Sequence, residues 1–176
     1  MAGLKKIATN EYTLNVDCLG AVWFGTWLEP MREFGNKVFN FVHAINPNIK
    51  VRISYDEFYA MSADNLINIC LKSEDFGDKV FDNFIQKRFG ISINPFLMGI
   101  LHEIGHVMTY DKYLDKDRSI LYYMLQLNYD EQRIIEYSEM YFQIPSEFEA
   151  TKWAVNYYLS HKEFCDNFLK EIGYAA

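Results

Sequence analysis

The chain has 176 residues, half of them hydrophobic and 17% aromatic, which is enough to bury one core and excludes a disordered polymer. Its formal net charge of −7 at pH 7 argues against a surface that wraps nucleic acid or adheres to anionic lipid. The cysteines, Cys18, Cys70 and Cys165, are odd in number and widely spaced, so free thiols are expected and neither a disulfide framework nor a cysteine zinc site is.

No internal repeat, low-complexity tract or linker divides the sequence, and a single domain over 1–176 is expected. Lys5 and Lys6 precede an apolar run from Cys18 to Leu28, but Asn10, Glu11, Asn15 and Asp17 lie between them. A secretory signal sets its apolar stretch directly after the positive charges, and a membrane span is longer than this run. The expectation is a cytoplasmic chain with no membrane partner.

Residues 12–28, rich in aromatic and β-branched side chains, read as packed and partly extended. From Glu29 to Asn46, Phe34, Val38, Phe39, Phe41 and Val42 recur at helical spacing, and the helix is expected to stop at Asn46-Pro47. His43, at the end of that pattern, reads as a surface or capping histidine. "IKVRISY" (49–55) and "NLINICLK" (65–72) alternate apolar with polar residues and are expected to be neighbouring strands of a small sheet. Residues 77–88 read as helix, and "ISINP" (91–95) as a short extended lead into the next one. Beyond Asp111 helices are expected at 117–127, 130–142, 147–160 and 162–172. Helix, small sheet and a helical half make an α+β fold, with the twisted sheet packed on the helices.

"LHEIGHVMTY" (101–110) carries the chemistry. Asn94-Pro95 predicts the start of its helix, with Asn as N-cap and Pro at the first helical position. At about 100° per residue, Leu97, Ile100, Leu101, Ile104, Val107 and Met108 share one face, while His102 and His106 fall opposite, with Glu103 at their flank. Gly99 and Gly105 lie on that polar side and leave room for a ligand or a second chain. Two imidazoles four residues apart can bind one metal from one helix face. The neighbouring glutamate can then act as general base on a zinc-activated water. Glu103 and His106 also match the Glu-x-x-His of di-iron bundles, but no second such pair exists in the chain, and that class is excluded.

A catalytic zinc takes three protein ligands and keeps one position open. Positions 109 and 112 hold Thr109 and Lys112, so the third ligand is not the histidine of the extended HExxHxxGxxH pattern. A carboxylate from "PSEFEATKWAVNYYL" (145–159) is the better candidate. Ser146 and Glu149 have the spacing of a capping box, which assigns Glu149 a structural task. Glu147 shares its face with Ala150, Thr151, Ala154 and Tyr158, small residues that let this helix approach the HEIGH helix closely. Glu147 is therefore the expected third ligand.

HEIGH followed by Glu147-Phe148-Glu149-Ala150-Thr151-Lys152-Trp153-Ala154 resembles the gluzincin metallopeptidases, above all the compact minigluzincins. The E-x-x-A-[ND]-x-[FW]-A run of ImmA/IrrE-type domains is similar, and HtpX-type peptidases carry a related one. The resemblance covers these two helices. It implies a zincin-like fold, one zinc ion, and Glu147 as zinc ligand. Thr151 stands where the family has Asp or Asn to orient a zinc histidine. The implied activity is that of a zinc metalloendopeptidase cutting internal bonds of a protein or peptide bound along a sheet edge, for which 65–72 is the expected strand. Tyr110, Tyr141, Tyr158 and His161 are candidate transition-state donors. The alternative is an ImmA-like regulatory or binding protein with weak or no proteolysis; a structural zinc closed by a fourth protein ligand is a third reading.

Overall fold

The computed structural model describes residues 12–14, 28–54, 58–70, 79–110 and 140–174. Among them the elements run β1 (Tyr12–Leu14), α1 (Leu28–Ile45), β2 (Lys50–Ser54), β3 (Tyr59–Met61), β4 (Leu66–Cys70), α2 (Lys79–Phe89), α3 (Pro95–Thr109), α4 (Pro145–Ser160) and α5 (Lys162–Glu171). The fold is α+β. The helices expected at 117–127 and over most of 130–142 lie outside the described residues, as does the apolar run from Cys18.

The described strands form one mixed sheet in the order β1-β2-β4-β3. β1 and β2 are parallel, joined by the α1 crossover that parallel neighbours require. β2 and β4 are also parallel, in the register Val51↔Ile67 and Ile53↔Ile69. β3 folds back antiparallel on the outer side of β4, with Ala60 opposite Ile67. A 3-10 turn at Ser62–Asp64 makes the reversal, and Asn65 completes it in the left-handed region at φ 51°, a conformation asparagine tolerates better than most residues. The expected edge, 65–72, is thus an interior strand. Among the described strands the outer one on that side is β3, which the sequence hides because three residues are too few to show alternation.

Val51, Ile53, Ile67 and Ile69 are buried and join Val38 and Val42 of α1 with Leu97, Ile100, Leu101 and Ile104 of α3 in one core. Phe96 links three parts of it: its ring lies 5.8 Å from Phe34, 6.1 Å from Phe58 and 5.6 Å from Tyr174 near the C-terminal end. α1 stops where Pro47 bars the helical conformation from Asn46, and Asn46 Oδ1 accepts from the Asn48 N–H at 3.0 Å. His43, half-buried in the last turn, lies tilted against the Phe39 ring and donates from Nε2 to the Ile49 carbonyl at 2.9 Å, so it joins α1 to β2. No helix among the described residues is long and apolar enough to cross a membrane.

Cys165 is a free thiol and, like Cys70, is fully buried. Burial, with the Asp166 charge adding and Lys162 opposing, pushes the Cys165 thiol up to about 12. Because the thiolate is the reactive form, alkylation of Cys165 is expected to be slow throughout and still climbing about tenfold per pH unit at about pH 9.5, where an ordinary thiol, with a pKa of about 8.5, has levelled off. Site-resolved mass spectrometry after timed iodoacetamide labelling checks this. A rate at Cys165 that levels off above about pH 8.5, as it does for a small-molecule thiol, would contradict it.

Candidate metal centre

The centre is built on α3. Asn94 caps its start, Oδ1 accepting from the Leu97 N–H at 3.2 Å, with Pro95 at the first helical position. Leu97, Ile100, Leu101 and Ile104 are buried as the pattern requires, and Val107 is half-buried. Met108 is 44% exposed, because the last turn of α3 runs out beyond the core. His102 and Glu103 are buried as well, so α3 is enclosed almost all round and its polar residues face protein rather than bulk water.

What encloses them is α4. A Cβ added at Gly105 would stand 2.5 Å from the Ala150 carbonyl oxygen and 2.9 Å from the Ala150 Cα, so the two helix backbones touch. The other glycine, Gly99, is covered by the Phe58 ring, 3.0 Å from where a Cβ would lie. The room both glycines leave is filled from within the chain. α4 itself begins two residues earlier than the capping-box pattern implies: Pro145 takes the first helical position, Ile144 is the N-cap, and Phe148 N–H donates to the Ile144 carbonyl at 2.8 Å. Proline suits that position because its φ is already helical and it has no N–H to satisfy. The Ser146–Glu149 box is therefore not formed, and Glu149 pairs instead with Lys152 at the surface, 3.5 Å away.

With α4 in place, Glu147 Oε2 lies 3.1 Å from His102 Nε2 and 3.2 Å from His106 Nε2, and the two imidazole nitrogens lie 3.1 Å apart. These buried or nearly buried groups could hold a metal ion. The triangle has the right size: ligands about 2.0–2.1 Å from a tetrahedral zinc stand about 3.3 Å from one another. The donor set, two imidazoles and a carboxylate, is also one that divalent first-row metals accept.

Thr151, buried one turn beyond Glu147, places Oγ1 3.1 Å from His102 Nδ1. A proton on Nδ1 donated to that oxygen leaves the Nε2 lone pair directed at the centre of the triangle. On the other side the Phe81 ring meets the imidazole edge-on at 5.4 Å and is itself stacked on Phe142 at 4.7 Å. Phe81 and Phe142 carry no signal in the sequence, since only the folded chain brings α2 and the segment before α4 to His102.

The two carboxylates are driven apart. Burial raises Glu147, but the hydrogen bonds and charges of His102 and His106 outweigh it and bring its carboxyl down to about 2. For Glu103 burial is the largest influence and raises it, with His102 and His106 pulling the other way and Glu147 adding to the rise. One carboxylate is held ionised beside the histidines; the other is a poorer acid and correspondingly a better base.

Glu103, His106 and Glu147 open into a cleft of about 300 Å³ walled by Phe58, Tyr59, Ala60 and Ser62 on the sheet side and by Thr109, Tyr110, Tyr141 and Ser146 opposite. Of the four candidate donors, Tyr110 and Tyr141 stand in this cleft. Tyr158 does not, since its hydroxyl donates to Asp166 at 3.4 Å. Neither does His161, which is exposed, stacks on Tyr157 and donates from Nδ1 to the Tyr157 carbonyl. No family model, no curated protein and no solved structure matches this chain.

Two outcomes are expected from this geometry. Glu147→Ala should lower metal affinity sharply, whereas Glu149→Ala should leave metal binding intact and change stability by no more than about 0.5 kcal/mol, the worth of an exposed pair. Calorimetric titration of zinc into each variant, with melting curves alongside, separates them. Metal binding that survives loss of Glu147 would remove it from the centre. Gly105→Ala should force the helices apart, cost about 1–3 kcal/mol as overpacking does, and weaken metal binding at the same time. A Gly105→Ala protein with wild-type melting temperature and metal affinity would contradict the close contact.

Proposed function

We propose that this chain is a zinc-dependent metallopeptidase of gluzincin type, acting on internal bonds of a protein or peptide. The observation that carries the reading is the convergence of His102, His106 and Glu147 beside a cleft that Glu103, His106 and Glu147 line and that runs along β3. Three donors leave a tetrahedral ion one open position, the arrangement of catalytic rather than structural zinc sites. Among the described residues no fourth His, Cys, Asp or Glu joins the group.

Bound zinc would supply a Lewis acid that polarises the substrate carbonyl and acidifies a water. The chain's own residues do the rest. The Glu103 carboxylate takes a proton from the attacking water as its oxygen bonds to the carbonyl carbon, and returns that proton to the amine nitrogen as the C–N bond breaks. Tyr110 or Tyr141 donates to the developing oxyanion, a role for which both stand in the cleft. Thr151 and Phe81 hold the His102 ring in one orientation. The substrate backbone adds to β3 as an extra strand, a common mode of peptide recognition at a sheet edge. The resemblance of HEIGH and of the Glu147–Ala154 run to ImmA/IrrE-type domains agrees with this proposal.

The regulatory alternative draws on one observation. Thr151 offers His102 a neutral hydroxyl where a carboxylate would raise the ring's basicity more strongly, which favours metal binding with weak turnover. Glu103→Gln distinguishes the two readings. For a peptidase, the variant should keep its zinc and melting temperature and lose about 10²–10⁴-fold in hydrolysis of an unstructured protein substrate. Wild-type protein that binds zinc and cleaves nothing would support the regulatory reading. A Glu103→Gln protein as active as wild type would remove Glu103 as the base.

A further inference from the structure

The register of the sheet places Arg52 opposite Asn68 and Asn68 opposite Tyr59. Residues directly opposite one another share a sheet face, so these three side chains form a row across β2, β4 and β3. Phe58 and Ala60, on either side of Tyr59, turn to the other face, and Phe58 lies against Gly99 of α3. The Arg52 row therefore stands on the face turned away from α3. Its ends meet: Arg52 Nη1 donates to the Tyr59 hydroxyl at 2.8 Å.

This is an unusual environment for a guanidinium. Arg52 is half-buried, and partly desolvated arginines generally pair with a carboxylate or a phosphate. Among the described residues no carboxylate lies within ion-pair distance of it. Its partner is a neutral phenol, and Asn68 between them is fully buried with its amide donating to Ser54 Oγ at 2.9 Å. The positive charge is held across the sheet toward β3, and no described residue neutralises it there. Tyr59, which anchors it, also lines the cleft beside the metal centre.

We infer that Arg52, held by Tyr59, selects an acidic side chain on a peptide laid along β3, at a position whose side chain turns away from α3. The inference rests on the cleft being a peptide site. An added strand sends alternate side chains to the two faces of the sheet. Those directed toward α3 enter the metal centre, and those between them stand beside Tyr59, within the field of the guanidinium. Arg52 uses one N–H on the phenol and keeps the others for a carboxylate, which it binds with two parallel hydrogen bonds. Because the chain as a whole is negative, −7 in formal charge, acidic peptides are repelled in general. A single local cation then discriminates by position and does not merely attract.

Peptides identical except for Glu or Gln, scanned through each position around the cleaved bond, test this with the zinc-loaded protein. At one position the wild type is expected to prefer Glu by about fivefold to tenfold in kcat/KM, expressed in KM rather than kcat. Arg52→Gln should bring that ratio close to one, and Tyr59→Phe, which frees the guanidinium from its anchor, should reduce it. If the Arg52–Tyr59 bond only secures the outer strand, both variants lower cleavage of Glu and Gln peptides together and leave the ratio intact. That result, or a wild-type ratio of one at every position, overturns the inference. Should the zinc-loaded wild type cleave no peptide, the hydrolytic reading fails and the same pairs are compared by fluorescence anisotropy. A Glu preference in binding that vanishes in Arg52→Gln then sustains the inference, and equal binding, or none, overturns it.

Discussion

The contact between Gly105 and Ala150 governs the rest of the site. Helices packed through ordinary side chains keep their axes about 8–10 Å apart, whereas here a single added methyl group would meet backbone atoms at 2.5 and 2.9 Å. Glu147 precedes this contact on α4 by one turn and Thr151 follows it by one residue, so both reach α3 from the same face. His102 and His106 flank Gly105 on their own helix. The His102–His106–Glu147 triangle is therefore set by two regular helices in backbone contact, and loops have little part in its geometry. That is the support expected of a site whose ligands must stay within a few tenths of an ångström.

Two carboxylates enclosed in the same small volume are held in opposite conditions. Glu147 is hydrogen-bonded to both histidines, and those bonds overcome its burial; Glu103 feels their charge without a hydrogen bond to either, and burial prevails. The division follows from one residue of helix rotation on α3 and from the placement of α4. Pairs of acids separated in this way are a recurrent mark of acid–base sites. The proposed division of labour, Glu147 as ligand and Glu103 as base, agrees with it.

Much of this could be read from the chain before it was folded, and the reasons are local. HEIGH carries its own geometry, because a helical period of about 3.6 residues sets His102 beside His106 whatever surrounds them. Asn94-Pro95 specifies the start of α3, and small residues at Ala150, Thr151 and Ala154 announce a helix that can approach closely. The failures are equally specific. Pro145 displaced the helix start that Ser146 and Glu149 suggested. Met108 obeys the apolar period but lies where α3 leaves the core. β3 is too short to show alternation, so the pattern points to 65–72 as the outer strand, whereas β4 is flanked on both sides. Phe81, Phe142 and the Arg52–Tyr59 bond depend on elements brought together from distant parts of the sequence, and no local pattern encodes them.

X-ray absorption at the zinc edge of protein loaded with one equivalent of metal and freed of excess is the most direct test of the centre. The expected spectrum has four light-atom neighbours at about 2.0–2.1 Å, with multiple scattering from two imidazole rings, and without the imidazole signal when His102 and His106 are both replaced. Sulfur scattering, a spectrum lacking imidazole, or a protein that retains no zinc after removal of the excess would contradict a His102–His106–Glu147 centre.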